Sequence, residues 1–483
     1  MSTPEVIITQ LDGALGILPP SAGKMLAIVG AASAGPIATP AAFARATDVQ
    51  TNFGGGDAVE AACYAIERYG KPVIFVRATS SVPGTLGAVD VTGVTGTSVV
   101  SADGASAPTD YLDAKVRIVN GGTRGVAGIT YQESLDGGYS YSPVKALGVA
   151  TTITIPNSGI IFALAAGTLV AGDAWSARAV GPAPDAAALT VALTALQSSN
   201  LPWELAYITS PIDAAALAAI DTRATAMAAI GKYRWFIGNT RMPNAGETEA
   251  QYKTAMDLIF SALASKNLSL YSGAAKTISS VSYRNYRRPL AMAVAPRQSS
   301  VSEEVNIGMI DLGPLPGVSI RDSNGNPDEH DEAVNLGLDD SRFGTARTWD
   351  GYEGVYVTWP RIFAPTGSDF QLAPYRRVMN VFCETVRNYM LLRLAKPIRL
   401  NKATGFILEA DAIEIESGVL AQLRAVLMTK PKASDVQFVL SRTDNILSTQ
   451  TVTGDGRLVP LAYPKFIAIT LGFNNPALRV VSV

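Results

Sequence analysis

The chain has 483 residues, 48% of them hydrophobic and 17% charged, with a formal net charge of −2. That length suits two to four domains, and the near-neutral balance excludes a global electrostatic pull on nucleic acid or an anionic membrane. Two cysteines, Cys63 and Cys383, are too few for a disulfide framework or a thiolate metal cluster.

Residues 1–24 carry a strand-like run, Glu5-Val6-Ile7-Ile8-Thr9, followed by Gly13, Gly16, Pro19, Pro20 and Gly23. The first basic side chain is Lys24, so no secretory signal is expected, and the chain is read as soluble and made in a reducing cytoplasm. From Met25 the pattern becomes α/β. Met25–Ala31 reads as a buried strand, Asp57–Tyr69 as an amphipathic helix stopped by Gly70, and Val73–Val76 as the next strand. The rhythm resumes with helices at Asp185–Ser198, Asp213–Ile230 and Glu247–Ala264, alternating with strands at Glu204–Ile208, Arg234–Ile237 and Leu268–Tyr271. Such alternation implies a mostly parallel sheet covered by helices.

Between residues 83 and 183 helical periodicity is lost. Lys115–Val119, Gly128–Ser134 and Thr152–Ile155 alternate like strands, and Leu135-Asp136-Gly137-Gly138 is a turn signal. The uncharged stretch 146–172 is broken by Pro156, Asn157 and Ser158, leaving a run too short to cross a bilayer. Residues 297–370 read as loop-rich, and Tyr375–Leu394 as a helix. Beyond them come a helix at Glu416–Met428 and strands at Val436–Leu440, Thr449–Val452 and Lys465–Leu471. The last residues form a second apolar run, Leu478-Arg479-Val480-Val481-Ser482-Val483.

The expected fold class is therefore an α/β core with an inserted all-β domain, an α+β C-terminal domain, and extended N- and C-terminal arm strands. Its segments are an arm and linker (1–24), the first half of the core (25–82), an inserted outer domain (83–183), the second half with its loop-rich segment (184–370), a C-terminal domain (371–472) and a C-terminal arm (473–483). Strands at both chain ends have no local partner, so they are expected to pair in another molecule.

Candidate chemistry is sparse. Gly30-Ala-Ala-Ser-Ala-Gly35 follows a strand with phosphate-loop spacing, but Pro36 and Ile37 stand where Lys and Ser or Thr are needed. Gly54-Gly55-Gly56 ahead of a helix is a helix-entry turn sooner than an anion site. Asp322-Ser-Asn324-Gly-Asn326-Pro-Asp328 begins like a calcium loop, yet Pro327 replaces the required Gly and Ala333 the closing Glu. Seven acidic residues between Asp322 and Asp340 face no Lys or Arg in that stretch. A solvated acidic loop is the favoured reading, with contact to a basic neighbour as the alternative. His330, the sole histidine, would have to be the base of any Ser-His or Cys-His hydrolase, and no GxSxG turn accompanies it. Ser282-Tyr-Arg284-Asn-Tyr286-Arg287-Arg288 interleaves aromatic and basic residues, a pattern read as a packing or subunit-contact strip on a near-neutral chain. No catalytic, cofactor-binding or metal site is expected, and no enzyme activity.

The chain resembles the sheath proteins of contractile phage tails. The resemblance runs from Pro4-Glu5-Val6 through Ile28-Val29-Gly30-Ala31-Ala32-Ser33-Ala34-Gly35-Pro36, Phe53-Gly54 and Ala58–Tyr69 to Phe75-Val76-Arg77. It resumes at Asp339-Asp340-Ser-Arg342-Phe343, Gly354-Val355-Tyr356-Val357, Gly367-Ser368-Asp369-Phe370 and Arg376-Arg377-Val378-Met379. The order of these short motifs carries it; residues 83–183 match only as an insertion. It implies a virion structural protein that forms stacked hexameric rings, a helical sheath, around a tail tube protein. The implied partners also include baseplate and tail terminator proteins, with no nucleic acid and no direct membrane insertion. Its implied place is a virion tail or tailocin particle assembled in the host bacterial cytoplasm, where contraction drives the tube through the target envelope. Residues Glu5, Val6, Ile7, Ile8 and Thr9, with Leu478, Arg479, Val480 and Val481, become the inter-subunit arms. The alternative is a nucleotide-dependent hydrolase with a Rossmann-like core, which requires the phosphate site and polar cluster that the motifs above lack.

Overall fold

The computed structural model describes residues 24–322 and 324–473. Met25–Gly30 (β1) is a continuous apolar run with every residue buried, the composition of a parallel strand covered on both faces. A short strand, Ala41–Phe43 (β2), and a helix, Ala46–Phe53 (α1), precede helix Asp57–Tyr69 (α2) and strand Val73–Arg77 (β3). Helix α2 has the bounds its periodicity indicates. It stops at Gly70, whose φ of 63° is left-handed and whose N–H reaches the Ile66 carbonyl.

From residue 85 to 180 the chain forms strands only. These are Thr85–Gly93 (β4), Val100–Ala102 (β5), Leu112–Asn120 (β6), Gly122–Thr123 (β7), Thr130–Ser134 (β8), Lys145–Ala146 (β9), Thr152–Ile155 (β10), Ile160–Leu164 (β11), Thr168–Leu169 (β12) and Ala174–Val180 (β13). An antiparallel sheet runs β4-β13-β6-β8-β9, beside a second ordered β10-β11-β5. Buried positions alternate along β6 and β13, and their apolar face gathers around Trp175 and Phe162, set edge to face with centroids 6.2 Å apart. The segment enters and leaves through a two-strand neck, where Val82 and Ala183 exchange N–H···O bonds of 2.9 and 3.0 Å.

Helices Ala186–Ser198 (α3), Ala214–Ala229 (α4) and Glu249–Phe260 (α5) then alternate with strands Trp203–Pro211 (β14), Trp235–Asn239 (β15) and Leu268–Tyr271 (β16). Asp185 and Asp213 stand at the N-caps of α3 and α4, accepting from the amides of Ala188 (2.8 Å) and Ala216 (2.7 Å). Helix α5 is shorter than Glu247–Ala264. A Thr248–Gln251 capping box sets its start, and at its end the Arg342 guanidinium donates to the carbonyls of Phe260 and Leu263, 3.3 and 2.9 Å away. The core sheet runs β16-β15-β14-β1-β3-β2, parallel except for β2. One face carries Leu193, Ile220, Met227 and Tyr252; the other carries Phe53, Val59, Tyr64 and Leu290–Ala295. Strand order reverses between β1 and β14, which opens a crevice at their carboxyl ends.

Elements without a clear sequence signal include Ala274–Ile278 (β17), Asn285–Pro289 (β18) and Ala291–Ser300 (α6). Strand β18, Asn-Tyr-Arg-Arg-Pro, looks like surface but is buried, because Arg287 and Arg288 are paired with carboxylates far along the chain. Among the described residues the loop-rich region contains only Val318–Ser319 (β19) and the hairpin Ala346–Trp349 (β20) to Tyr352–Val357 (β21) as strands. Helix Ala373–Leu391 (α7) is tied into this first unit by Arg377, which donates to Glu204 at 2.8 and 3.3 Å.

A second compact unit begins at Ala395. Helix Glu409–Leu423 (α8) starts a full turn or more before the expected Glu416 and continues as a π-helical stretch, Arg424–Met428. It packs on the hairpin Ala433–Leu440 (β22) and Gly454–Pro460 (β23). Arg442 locks helix to hairpin, donating to Glu416 (2.6 Å) and Glu409 (2.8 Å). Two strand expectations fail here. Residues 449–452 do not form a strand: Asn445 caps a helical turn, Ile446–Thr449 (α9), and the strand paired with β22 begins only at Gly454. Lys465–Leu471 joins no sheet among the described residues, and its apolar side chains lie in solvent, Phe466 at 83% and Leu471 at 89% exposure.

Candidate functional site

The crevice between β1 and β14 is where an α/β enzyme would bind a phosphate. Here its loop is closed. A Cβ at Gly30 would fall 2.0 Å from Thr209 Oγ1 and 2.9 Å from Ala58 Cβ, and one at Gly35 (φ +89°) would fall 2.5 Å from the Phe53 ring. Both glycines are explained by close packing. The loop amides are spent internally: Ser33 N–H on the Gly55 carbonyl (2.9 Å), Ala34 N–H on the Phe53 carbonyl (3.0 Å), Gly55 N–H on Ser33 Oγ (2.9 Å). Asp57 then occupies the first turn of α2 and its Oδ1 accepts from the Ala58 N–H at 2.8 Å, so that helix-start amide is spent as well.

The acidic stretch is divided among local and long-range partners. Asp322 Oδ1 accepts from the amides of Asn324 and Asn326, both at 2.8 Å, so its carboxylate closes a turn. Asp328 pairs with Lys276, and Glu329 with Arg287. Those bases come from this chain's own β17 and β18. Of the aromatic-basic strip, Arg287 and Arg288 are buried while Tyr283 is exposed, so half of it is packing. Among the described residues no group of three or more His, Cys, Asp or Glu is arranged to hold a metal ion.

His330 is buried with both ring nitrogens on carboxylates, Nδ1 2.7 Å from Glu249 and Nε2 3.0 Å from Glu332. Burial alone would lower its pKa, but the bonds to Glu249 and Glu332 outweigh it and push it up to about 9. The ring is an imidazolium that donates twice, with no lone pair for general-base work at neutral pH. Burial pushes the Cys63 thiol up to about 12 and raises that of Cys383, so neither is an activated nucleophile.

A pH dependence follows. With a folded value near 9 against an ordinary 6.5, His330 contributes its full stabilisation below pH 6.5 and loses it as pH rises through about 9. His330→Gln is expected to lose about 1.5–3 kcal/mol near neutral pH, from hydrogen bonds to charged groups. It should also flatten the alkaline fall in stability. Urea unfolding of parent and variant between about pH 6 and 10 checks this; an unchanged alkaline slope contradicts it.

The terminal arms, Glu5–Thr9 and Leu478–Val481, lie outside the described residues. What the described chain does present is the exposed apolar series Phe466, Ile467, Ile469, Leu471 and Phe473. Phe473 is the last of the described residues, and the series lies outside all three apolar cores of the described chain. Its signal was in the sequence, as apolar residues at strand-like spacing.

A family model described as DUF2586, N-terminal domain, matches residues 3–360. The chain belongs to the DUF2586 family. No curated protein matches this DUF2586 member. Among solved structures it is similar to a chain of the sheath complex of an extracellular contractile injection system (PVC) in the contracted state, with 9% identity over 98% of both chains and a TM-score of 0.51. The sheath tail protein from Listeria innocua matches at 12% identity over 91% of this chain and 96% of that one, TM-score 0.43. The sheath tail protein from Desulfitobacterium hafniense matches at 13% over 95% and 100%, TM-score 0.44. This DUF2586 chain has the fold of the injection-system sheath, in keeping with the sheath resemblance of its sequence.

Proposed function

We propose that this chain is the sheath subunit of a contractile phage tail or phage-tail-like injection system, a structural protein and not an enzyme. The observation that carries the reading is the likeness to the contracted sheath along 98% of both chains. Copies stack as hexameric rings around a tail tube, bounded by baseplate and terminator proteins, in a virion tail or tailocin assembled in the host cytoplasm. Residues 83–183 form the outer domain, and the core with the C-terminal sheath domain (371–472) lies toward the tube. Glu5–Thr9 and Leu478–Val481 add strands to neighbouring subunits. Covering Phe466, Ile467, Ile469, Leu471 and Phe473 would contribute about 1.5–3 kcal/mol per side chain. Contraction is then a rigid-body step from a metastable extended lattice to a tighter one.

Sedimentation velocity of the purified chain tests the reading. Boundaries that grow into fast polymers with rising concentration are expected. A sharp monomer at every salt and protein concentration contradicts it.

A further inference from the structure

The segment of residues 85–180 is held on the core by two charge clusters of unlike balance. In the first, Arg178, Lys276 and Arg287 face Asp113, Asp328 and Glu329, three cations against three carboxylates. Arg178 also donates to the carbonyls of Pro243 (3.3 Å) and Asn244 (3.0 Å), and Tyr139 to that of Arg321 (2.9 Å). Asp328 takes both Arg178 and Lys276, Glu329 pairs with Arg287, and Asp113 lies in the field of all three cations. In the second, one guanidinium serves three carboxylates. Arg288, 1% exposed, donates to the Tyr111 carbonyl and to Asp110 (2.8 Å), and lies 3.9 Å from Glu60. Glu60 also accepts from the Ser279 hydroxyl at 2.5 Å. Asp57, one turn earlier on α2, is the third carboxylate, and it feels both Asp110 and Arg288.

This second cluster sits beside the neck. Gly181 is packed on Asp110, where an added Cβ would fall 3.1 Å from the Asp110 Cα. The Val82–Ala183 pair is flanked by Pro83-Gly84 and Gly181-Pro182. Below it lies a cavity of about 1070 Å³, lined by neck, core and inserted segment alike. One contact is thus balanced in charge, the contact at the neck carries excess negative charge, and open space lies beside the neck.

We propose that Asp57, Glu60, Asp110 and Arg288 form a proton-controlled latch: with one proton on the cluster the inserted segment is clamped at its neck, and without it carboxylate repulsion frees the segment to swing about the balanced cluster. The groups that face Asp57 are Glu60 on α2, Asp110 and Tyr111 on the inserted segment, Arg288 on β18, and Tyr207 on β14. Glu67 adds repulsion to Glu60, while Arg77 and Arg284 line the cavity farther out. Burial pushes the Asp57 carboxyl up to about 7; the Thr209 hydroxyl, the Ala58 N–H and, more weakly, Arg288 oppose it, and Asp110 adds to it. Its folded value lies above the ordinary 3.8, so the clamp is tightest with the proton on and weakens as pH rises through about 7.

Hydrogen exchange of the full chain tests this, read as protection corrected for the intrinsic pH dependence of exchange. Between about pH 6 and about pH 8.5, protection at the Val82 and Ala183 amides is expected to fall about tenfold, the effect of one pH unit of linkage. The amides of β1 should keep theirs. Asp57→Asn and Glu60→Gln each remove one excess charge, and each should abolish the fall. Equal protection at both pH values in the parent overturns the latch, as does a fall that persists in both variants. The outcome is independent of whether the chain forms a sheath.

Discussion

Removing residues 1–20 or residues 477–483 is expected to stop polymerisation while leaving the unfolding of the remaining chain within about 1 kcal/mol of the parent, as for changes away from the core. The proposed arms are β-branched runs, Val6-Ile7-Ile8-Thr9 at one end and Val480-Val481 at the other, joined to the body through Gly- and Pro-containing segments. Each inter-chain backbone hydrogen bond contributes about 0.5–1.5 kcal/mol. A strand making four of them would hold a neighbour by several kcal/mol, and about 1.4 kcal/mol is tenfold in association. Loss of one arm should therefore weaken each contact by about thirtyfold or more. Light scattering and urea unfolding of the two truncations separate assembly from stability. Polymers of parental length in both contradict the arm assignment.

Replacing Arg377 with Met should destabilise the first unit by about 3–5 kcal/mol. Arg377 is 3% exposed, donates twice to Glu204, and also bonds the carbonyls of Val301 (3.1 Å) and Ser302 (2.9 Å). One side chain thus joins α7, β14 and the end of α6. Its loss leaves Glu204, itself 7% exposed, as a buried carboxylate without its cation. Glu204→Gln added to the variant should recover part of the loss, since an amide is cheaper to bury than a charge. Equilibrium urea unfolding of both variants measures this. A change below about 1 kcal/mol, the scale of a surface ion pair, contradicts it.

The legible parts of this fold are those where one face or one strand decides its own burial. Strand β1 is uniformly apolar, α2 carries its helical face up to Gly70, and Asp185 and Asp213 mark helix starts by side chains that can cap. Illegible parts depend on distant partners. Strand β18 is buried only because Arg287 finds Glu329, 42 residues on, and Arg288 finds Asp110, 178 residues back. Helix α1, eight residues of mixed polarity, is fixed by Phe53 packing on Phe75 with centroids 4.3 Å apart. Residues 449–452 misled because Thr and Val suggest a strand, whereas Asn445 offers the backbone a cap. The closed state of the Gly30–Gly35 loop was legible in part: Pro36 told against phosphate, but the spent amides of Ser33, Ala34 and Gly55 need coordinates. His330 was visible as the sole histidine, yet Glu249, its second carboxylate, lies 81 residues away.

Negative-stain electron microscopy of the purified chain decides whether it is a sheath subunit. A sheath subunit gives hollow, transversely striated tubes whose end views have six-fold symmetry. Discrete monomers, or filaments without a central channel under every condition that concentrates the protein, would contradict it.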